Sequence, residues 1–312
     1  MLKYKANKRK RADIMLYNNL STYFRKMHGK RLKKICIDGG FTCPNRDGKI
    51  GTGGCIFCGE RGSGEHIEKR SIKEQVDSAL SAAADDELFV AYFQNFTNTY
   101  APCEVLKSRY DEALSDKRIV HLAIGTRPDC IDEEVAALIA SYRERVGVWV
   151  ELGLQTANNK TAIAINRGYD SSCFERAVKI LEKYEIPVCV HLIVGLPGES
   201  EEDIKRSCEF LSRFNIWGVK IHSIYVMRGT RLHEMYERGE YEPPSLDEYV
   251  KLAAYIITHI SPEIIIHRIT GDCPRELLVA PDWNKNKTQI VEKIQNYLSE
   301  NSLFQGCFYR DF

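Results

Sequence analysis

Two kinds of segment alternate repeatedly along this sequence, and this alternation limits the folds that it can adopt. Short apolar and β-branched segments alternate with longer amphipathic segments of helical period, a pattern typical of βα units around a parallel sheet. Because six such units are too few to close an eight-stranded barrel, the sequence predicts an α/β fold with a partial, open (β/α)6 barrel. The predicted strands cover 34–38, 88–94, 119–126, 148–155, 188–195 and 219–226, and the main helices cover 72–84, 105–114, 133–145, 174–184 and 201–214.

Capping residues mark the starts of several predicted helices. Ser71 and Asp132 each precede an amphipathic run, and Ser200 is followed three residues later by Asp203, which is close to a capping box. These local signals support the helical assignment independently of the apolar pattern.

Further elements follow the sixth strand. A helix opens near Ser245, an extra strand is predicted over 263–270, and a last helix over 287–300, and together they form a C-terminal α/β extension. The predicted organisation is a basic N-terminal arm and helix over 1–34, the partial barrel over 35–228, and the extension over 229–312.

Composition indicates a chain that can bury a large core. It has 312 residues, of which 44% are hydrophobic, and it contains no apolar run long enough to span a membrane. The N-terminal residues lack the apolar segment of a signal peptide, so we expect a soluble cytoplasmic protein that does not bind a membrane. The eleven cysteines are odd in number and several lie in apolar segments, which favours reduced thiols over disulfides.

Charge is unevenly distributed along the chain. The net charge is only +1, yet residues 1–34 carry twelve Lys or Arg against the single acid Asp13. A basic N-terminal arm can bind nucleic acid, but short basic termini are also common on ordinary soluble proteins.

A glycine-rich loop with three cysteines follows the first predicted strand. Cys43 is separated by eleven residues from Cys55, which is separated by two from Cys58. Loops that follow barrel strands meet at the carboxyl end of the sheet, where active sites of such folds lie. Three clustered thiols surrounded by glycines suit an iron–sulfur cluster that keeps one iron without a protein ligand, although a mobile surface loop with incidental thiols remains an alternative.

A structural zinc site would require a fourth ligand. The nearest candidates are Cys36, His66 and Cys103, and none of them forms a second closely spaced pair. Cys36 lies in an alternating strand segment, where a cysteine is more often a small buried side chain than a ligand. The pattern therefore favours iron and sulfide over zinc.

Segments along most of the chain form a recognisable set. They are KICIDGGFTCPNRDG, the pair Cys55-Ile56-Phe57-Cys58, YFQNFTNTYAP, GTRPDC, ELGLQT, INRGYD, HLIVGLPGES and HRITGDCPRELLVAP. With these segments the sequence resembles the radical S-adenosylmethionine (SAM) superfamily, and within it the short members of the elongator-like branch. The resemblance implies a [4Fe–4S] cluster on Cys43, Cys55 and Cys58, with SAM bound to the fourth iron and cleaved to a 5′-deoxyadenosyl radical. It also implies a flavodoxin- or ferredoxin-type electron donor.

The resemblance further implies which residues contact SAM. Arg167 matches an arginine that pairs with the SAM carboxylate, a role that suits guanidinium geometry, and His191 matches a polar contact to the ribose. Taken alone, Arg167 would be a solvated surface residue and His191 a core histidine, and the usual Gly-Gly-Glu after the second strand is missing. The predicted SAM residues are Gln94, Asn95, Thr97, Thr126, Glu151, Gln155, Arg167, His191, Gly195 and Leu196.

Other polar residues near the predicted mouth are substrate candidates, although each could equally be structural, and no catalytic acid or base is assigned. They are Tyr100, Arg127, Lys220, His222, Tyr225, Arg268 and Asp272.

The preferred specific function is C–N cleavage like that of the queuine lyases, which release the 7-deazaguanine base 7-aminomethyl-7-deazaguanine (preQ1) from queuine. This expectation comes from the resemblance, and the partner it implies is a small molecule. The alternative is radical modification of tRNA, favoured by the basic arm and by the aromatic-polar run 92–96. From another class, a non-catalytic iron–sulfur or zinc RNA-binding protein would leave the motifs around Arg167 and His191 unexplained.

Overall fold

The computed structural model describes residues 16–310, apart from residues 63, 66 and 68. Much of the predicted N-terminal arm, and the zinc-ligand candidate His66, therefore lie outside the described residues. The strands are β1 (Leu32–Ile37), β2 (Leu88–Phe93), β3 (Ile119–Thr126), β4 (Gly147–Gln155), β5 (Val188–Val194), β6 (Gly218–Ser223), β7 (Val226–Met227), β8 (Ile265–Arg268) and β9 (Leu278–Ala280). The α-helices are α1 (Leu20–His28), α2 (Ile72–Ser81), α3 (Cys103–Ala113), α4 (Glu133–Ser141), α5 (Asn159–Ala164), α6 (Ser171–Lys183), α7 (Glu201–Leu211), α8 (Arg231–Glu237), α9 (Leu246–His259) and α10 (Lys287–Glu300).

Seven parallel strands form one curled sheet, a half-barrel. They lie in the order β1-β2-β3-β4-β5-β6-β8, and at least one α-helix connects each strand to the next. The predicted α/β class and open parallel barrel are confirmed, and all six predicted strands are present. The extra strand predicted over 263–270 contains β8, which pairs with β6 and becomes the seventh strand of the sheet. The open side of the half-barrel lies between its two edge strands, β1 and β8.

The two faces of the sheet differ in chemistry. The outer face packs against the helices through fully buried side chains such as Val76 of α2, Leu106 of α3 and Phe174 of α6. Burying each such side chain contributes about 1.5–3 kcal/mol. The inner face instead carries Glu151 and Lys220, both buried. The outer layer therefore stabilises the sheet, and the inner face holds polar groups together.

The helix α1 covers the amino ends of the strands. The side chain of Asn19 caps this helix by accepting a hydrogen bond from the Thr22 backbone amide, at 3.0 Å. Phe24 is buried, with its ring centroid 5.0 Å from that of His121 and 6.2 Å from that of Trp149. Because this end is closed, access to the interior is from the carboxyl ends and the open side.

The predicted caps are confirmed. Ser71 forms a capping box with Glu74, Ser200 forms one with Asp203, and Asp132 accepts from the backbone of α4. In the C-terminal region, α9 packs against α10, and β7 pairs with β9 in a separate antiparallel ribbon. In the part of the chain that the structure describes, every helix is too short or too polar to cross a lipid bilayer.

Candidate active site

The loops at the carboxyl ends of the strands surround one cavity of about 210 Å³. Parallel strands bring these loops to the same edge of the sheet, which is why residues distant in sequence meet there. The cavity is lined by twelve of the predicted site residues: Cys43, Cys55, Cys58, Gln94, Thr97, Thr126, Arg127, Glu151, Gln155, His191, His222 and Tyr225.

The three cysteines are held by a tightly hydrogen-bonded loop. The Arg46 amide donates to the Cys43 carbonyl at 2.8 Å, and the Cys58 amide donates to the Cys55 carbonyl at 3.0 Å. Gly54 has a φ of 74°, a left-handed conformation that glycine adopts without strain just before Cys55. The loop thus directs all three thiols into the cavity.

The electrostatics of the loop favour thiolate, the form that binds metal. A hydrogen bond from the Cys55 thiol, together with the charges of Arg46 and Arg127, lowers the pKa of Cys58 to about 7. The same hydrogen bond and burial raise the pKa of Cys55. The Cys58 thiol therefore ionises near neutral pH.

The spacing of the thiols fits a cluster better than a single ion. Four sulfurs around one zinc ion at 2.3 Å would lie about 3.8 Å apart. Among the described residues, Cys43, Cys55 and Cys58 are not a set whose ligand atoms all lie within 4.8 Å of one another. The alternative ligands Cys36 and Cys103 do not line the cavity. Three spread thiols with no fourth in the described lining fit a cluster that keeps one iron open.

Two polar atoms in the cavity wall lack a partner among the described residues. They are the Thr97 hydroxyl, after β2, and Nε2 of His222, on β6, and both atoms are buried. Burial lowers the pKa of His222 well below its usual value, so this imidazole stays neutral. Since an unpaired buried polar atom costs about 1–3 kcal/mol, both atoms suit hydrogen bonds to a bound molecule such as SAM or a substrate.

Tyr169 lines the cavity and lies close to two arginines. The centroid of its ring is 4.7 Å from the guanidinium carbon of Arg127 and 4.5 Å from that of Arg167. Its hydroxyl donates to the Gly153 carbonyl at 2.6 Å and lies 3.2 Å from Oε1 of Gln155. Arg127 lines the cavity, whereas Arg167 is fully buried and does not.

The guanidinium of Arg167 is already engaged by the backbone. It donates to the carbonyls of Leu154, Thr156 and Tyr169, the last two at 2.8 and 3.0 Å, while its Nη2 has no partner among the described residues. Arg127 forms a two-pronged pair with Asp129 at 2.9 and 2.8 Å. The pairing of Arg167 with the SAM carboxylate stays a prediction.

A buried ionic network forms the floor of the cavity. The Glu151 carboxylate bonds to the Lys220 ammonium and, at 2.8 Å, to Nε2 of His191, and it accepts from Nε1 of Trp149 at 3.1 Å. Lys220 also donates to the Tyr92 hydroxyl at 3.0 Å. Burial alone would raise the pKa of Glu151, but Lys220 and His191 hold it well below its usual value. The floor therefore carries a fixed carboxylate and a fixed ammonium.

Six of the remaining predicted residues do not line the cavity. The Asn95 amide donates to Asp38 at 2.9 Å, and the Gly195 carbonyl accepts from the Tyr241 hydroxyl at 2.7 Å. Tyr100 lies 5.0 Å from the Lys49 ammonium. The others are Leu196, buried in a small apolar cluster, and Arg268 and Asp272, paired with each other at 3.2 Å.

Several lining residues were not predicted from the sequence. Tyr92 precedes Gln94 by two positions, so strand alternation could have placed it on the inner face. Arg46, Phe57, Phe96 and Tyr169 come from loops, where no periodicity indicates which side chains point inward. They add aromatic surface around the thiols.

Sequence models of two known domain families and one similar bacterial protein match this chain. A sequence model of the Radical SAM superfamily matches residues 45–211, and one of the Radical SAM C-terminal domain matches residues 216–300. The uncharacterized protein YtqA of Bacillus subtilis (strain 168) is 38% identical over 299 residues, which cover 94% of this chain and 93% of that protein.

Two further similarities concern the elongator-like branch. The tRNA uridine(34) acetyltransferase of Methanocaldococcus jannaschii is 30% identical over 197 residues, which cover 62% of this chain and 35% of that protein. The structure of Methanocaldococcus infernus Elp3 with an N-terminal deletion gives a TM-score of 0.66 at 20% identity, covering 88% of this chain and 64% of that chain. At that identity the structural likeness shows the fold alone.

Proposed function

Because this chain belongs to the radical SAM superfamily, we propose that it cleaves SAM in this cavity and directs the resulting radical at queuine. The bond between the amine nitrogen and the cyclopentene ring breaks, so that the nitrogen stays on the 7-deazaguanine as preQ1 and the ring leaves as the second product. The predicted superfamily is confirmed, and the superfamily uses a [4Fe–4S] cluster and SAM. When bound, these two cofactors supply the electron and the radical precursor. Membership of an enzyme superfamily sets aside the non-catalytic RNA-binding alternative.

The chain's own residues then have distinct tasks. Cys43, Cys55 and Cys58 would hold the cluster, and the unpaired Thr97 hydroxyl, with the Gln155 side chain, would bind polar groups of SAM. Tyr169 lines the same cavity, and its aromatic ring would help to exclude water. A flavodoxin- or ferredoxin-type protein is the proposed electron donor.

The observation that best supports a small heteroaromatic substrate is the mixture of aromatic and polar groups inside the barrel. Tyr92, Phe96 and Tyr225 line the same cavity as Glu151 and His222. Aromatic faces bind a planar base, while a few fixed polar groups orient its hydrogen-bonding edge. A 7-deazapurine has both features.

With SAM and a reductant under anaerobic conditions, we expect the enzyme to convert free queuine to preQ1, detected by liquid chromatography and mass spectrometry. Deleting residues 1–11 removes six basic side chains, and it should change this rate little because the substrate lies inside the barrel. Turnover seen only with tRNA, and lost on the deletion, would contradict the proposal.

Modification of tRNA is the second candidate, supported by the similarity to a tRNA uridine(34) acetyltransferase and by charge at the open side of the barrel. Lys34 on β1 and Arg268 on β8 lie on the two edge strands. Lys34 has no carboxylate partner among the described residues, and its ammonium lies 5.2 Å from the Tyr92 ring. If tRNA binds here, its affinity should fall with rising salt, and less steeply after the deletion.

We expect Arg167→Ala to weaken SAM binding about 10- to 150-fold, as measured by equilibrium binding to reconstituted enzyme, since a lost charge-assisted pair costs about 1.5–3 kcal/mol. Iron content should not change. Lys160→Ala, an exposed change on the neighbouring helix α5, is the control. Unchanged SAM affinity would mean that Arg167 only supports the backbone around Tyr169.

A further inference from the structure

The segment between Cys43 and Cys55 is longer than the three-residue spacing common in the superfamily, and one of its side chains, that of Asn45, lies beside a thiol. Asn45 is buried, with only 1% of its surface exposed. The Gly54 amide donates to the Asn45 carbonyl at 2.8 Å, which closes the segment on itself just before Cys55. A buried amide beside a metal-binding thiol requires an explanation.

The orientation of the Asn45 amide follows from its neighbours. One atom of the group lies 2.6 Å from the Asn166 carbonyl oxygen, which can only accept, so this atom is Nδ2. On the other side, a Cβ at Gly51 would overlap Oδ1, so the close packing there requires glycine. Nδ2 carries two hydrogens, and it also lies 4.0 Å from Sγ of Cys55. One N–H group therefore remains for the thiol.

Asn166 fixes this arrangement from the end of α5. Its backbone has a φ of 53°, a left-handed conformation that is uncommon outside glycine and is maintained here by two contacts to the loop. Besides accepting from Asn45, it donates from its own Nδ2 to the Gly54 carbonyl at 2.7 Å. Next to it, the Ile56 amide donates to the Ile165 carbonyl at 3.1 Å. The cysteine loop is thus fastened to α5 on both sides of Cys55.

Arg46, the next residue, holds the backbone at the second cysteine of the pair. Its Nη2 donates to the carbonyls of Cys58 and Gly59 at 3.2 and 2.5 Å, and its guanidinium lies 5.7 Å from the Phe96 ring. Asn45 thus brings a donor to the Cys55 thiol, while Arg46 fixes the chain around Cys58.

We infer that residues 44–54 set the reduction potential of the cluster, with Asn45 as an N–H donor to the Cys55 thiolate and Asn166 as its positioning residue. A one-electron reduction adds negative charge to the cluster, and a donor at sulfur stabilises that charge and raises the potential. The inference rests on the proposed function only in requiring a cluster on these cysteines.

The test is an EPR-monitored redox titration of the reconstituted full-length enzyme. Asn45→Ala should lower the midpoint potential by about 59 mV, a tenfold change in the one-electron equilibrium. Asn45→Asp has the same shape but replaces the donor with an acceptor, so it should lower the potential at least as much. Asn301→Ala, an exposed change just after α10, should leave the potential unchanged.

A second variant and a spectroscopic measurement distinguish loss of the hydrogen bond from Asn45 to Cys55 from a general loosening of the cysteine loop. Asn166→Gly keeps the left-handed backbone and the carbonyl that accepts from Asn45, but it loses the side-chain bond to Gly54. It should therefore lower the midpoint potential by less than Asn45→Ala does. In pulsed EPR, an exchangeable hydrogen coupled to the reduced cluster should disappear in Asn45→Ala and remain in Asn301→Ala. Unchanged midpoint potentials in both Asn45 variants at full iron content would overturn this inference but not the proposed function. Failure of the unmutated enzyme to bind iron would overturn the proposed function as well.

Discussion

Cys58→Ala is expected to abolish the iron–sulfur cluster, a fall from about four irons per chain to almost none after anaerobic reconstitution. The reason is geometric, because Cys43, Cys55 and Cys58 are the thiols that share the cavity and no other described cysteine lines it. Loss of one of three ligands therefore cannot be compensated by a neighbour. Iron and sulfide analysis, with the visible absorption of the cluster, measures the effect.

The matched control is Cys103→Ser. Cys103 begins α3 and does not line the cavity, so this variant should bind as much iron as the unmutated enzyme. Both variants should remain folded, since the largest apolar cluster packs the outer face of the sheet against the helices, away from the cysteines. Stoichiometric zinc that supports full folding, with no iron uptake by the unmutated enzyme, would contradict the cluster assignment.

Local patterns were sufficient to predict the strands and the helix starts. The apolar segments matched β1 to β6 to within a few residues at their ends, and Ser71, Asp132 and Ser200 begin helices as expected. The partner of β8 was not predictable in the same way. Pairing between strands about fifty residues apart depends on how the intervening helices pack. A local sequence pattern carries no information on that packing.

The same distinction applies to the site. Side chains on strands, such as Glu151, His191 and His222, reach the cavity because alternation and the common strand direction determine where they point. The full burial of Arg167 was not predictable, since this residue follows α5 and its position beside the Tyr169 ring depends on the path of a loop. The network of Glu151 with Lys220 was also not predicted, because it depends on the curvature of the sheet between β4 and β6.

The buried pair of Glu151 with Lys220 should have a large effect on the free energy of unfolding. Lys220→Met should destabilise the enzyme by about 3–5 kcal/mol at pH 8, because it leaves the carboxylate of Glu151 buried without its main counter-charge. Urea denaturation measures the change in the free energy of unfolding. Lys179→Met, which breaks an exposed pair with Glu175 on α6, should cost about 0.5 kcal/mol or less.

The dependence on pH distinguishes an uncompensated charge from a packing defect. With Lys220 present, the pKa of Glu151 is lowered, so its contribution to stability exists above its unfolded pKa and is lost as pH falls through the folded value. Without Lys220, burial dominates and raises that pKa, so the folded variant takes up a proton and its deficit should be smaller at pH 5 than at pH 8. The double variant Lys220→Met/Glu151→Gln removes both charges and keeps an amide that can still accept from Trp149, so it should recover most of the loss. The contrary result is an equal loss of unfolding free energy at both pH values, with no recovery in the double variant. It would mean that Lys220 stabilises the barrel by packing and that Glu151 stays ionised without it.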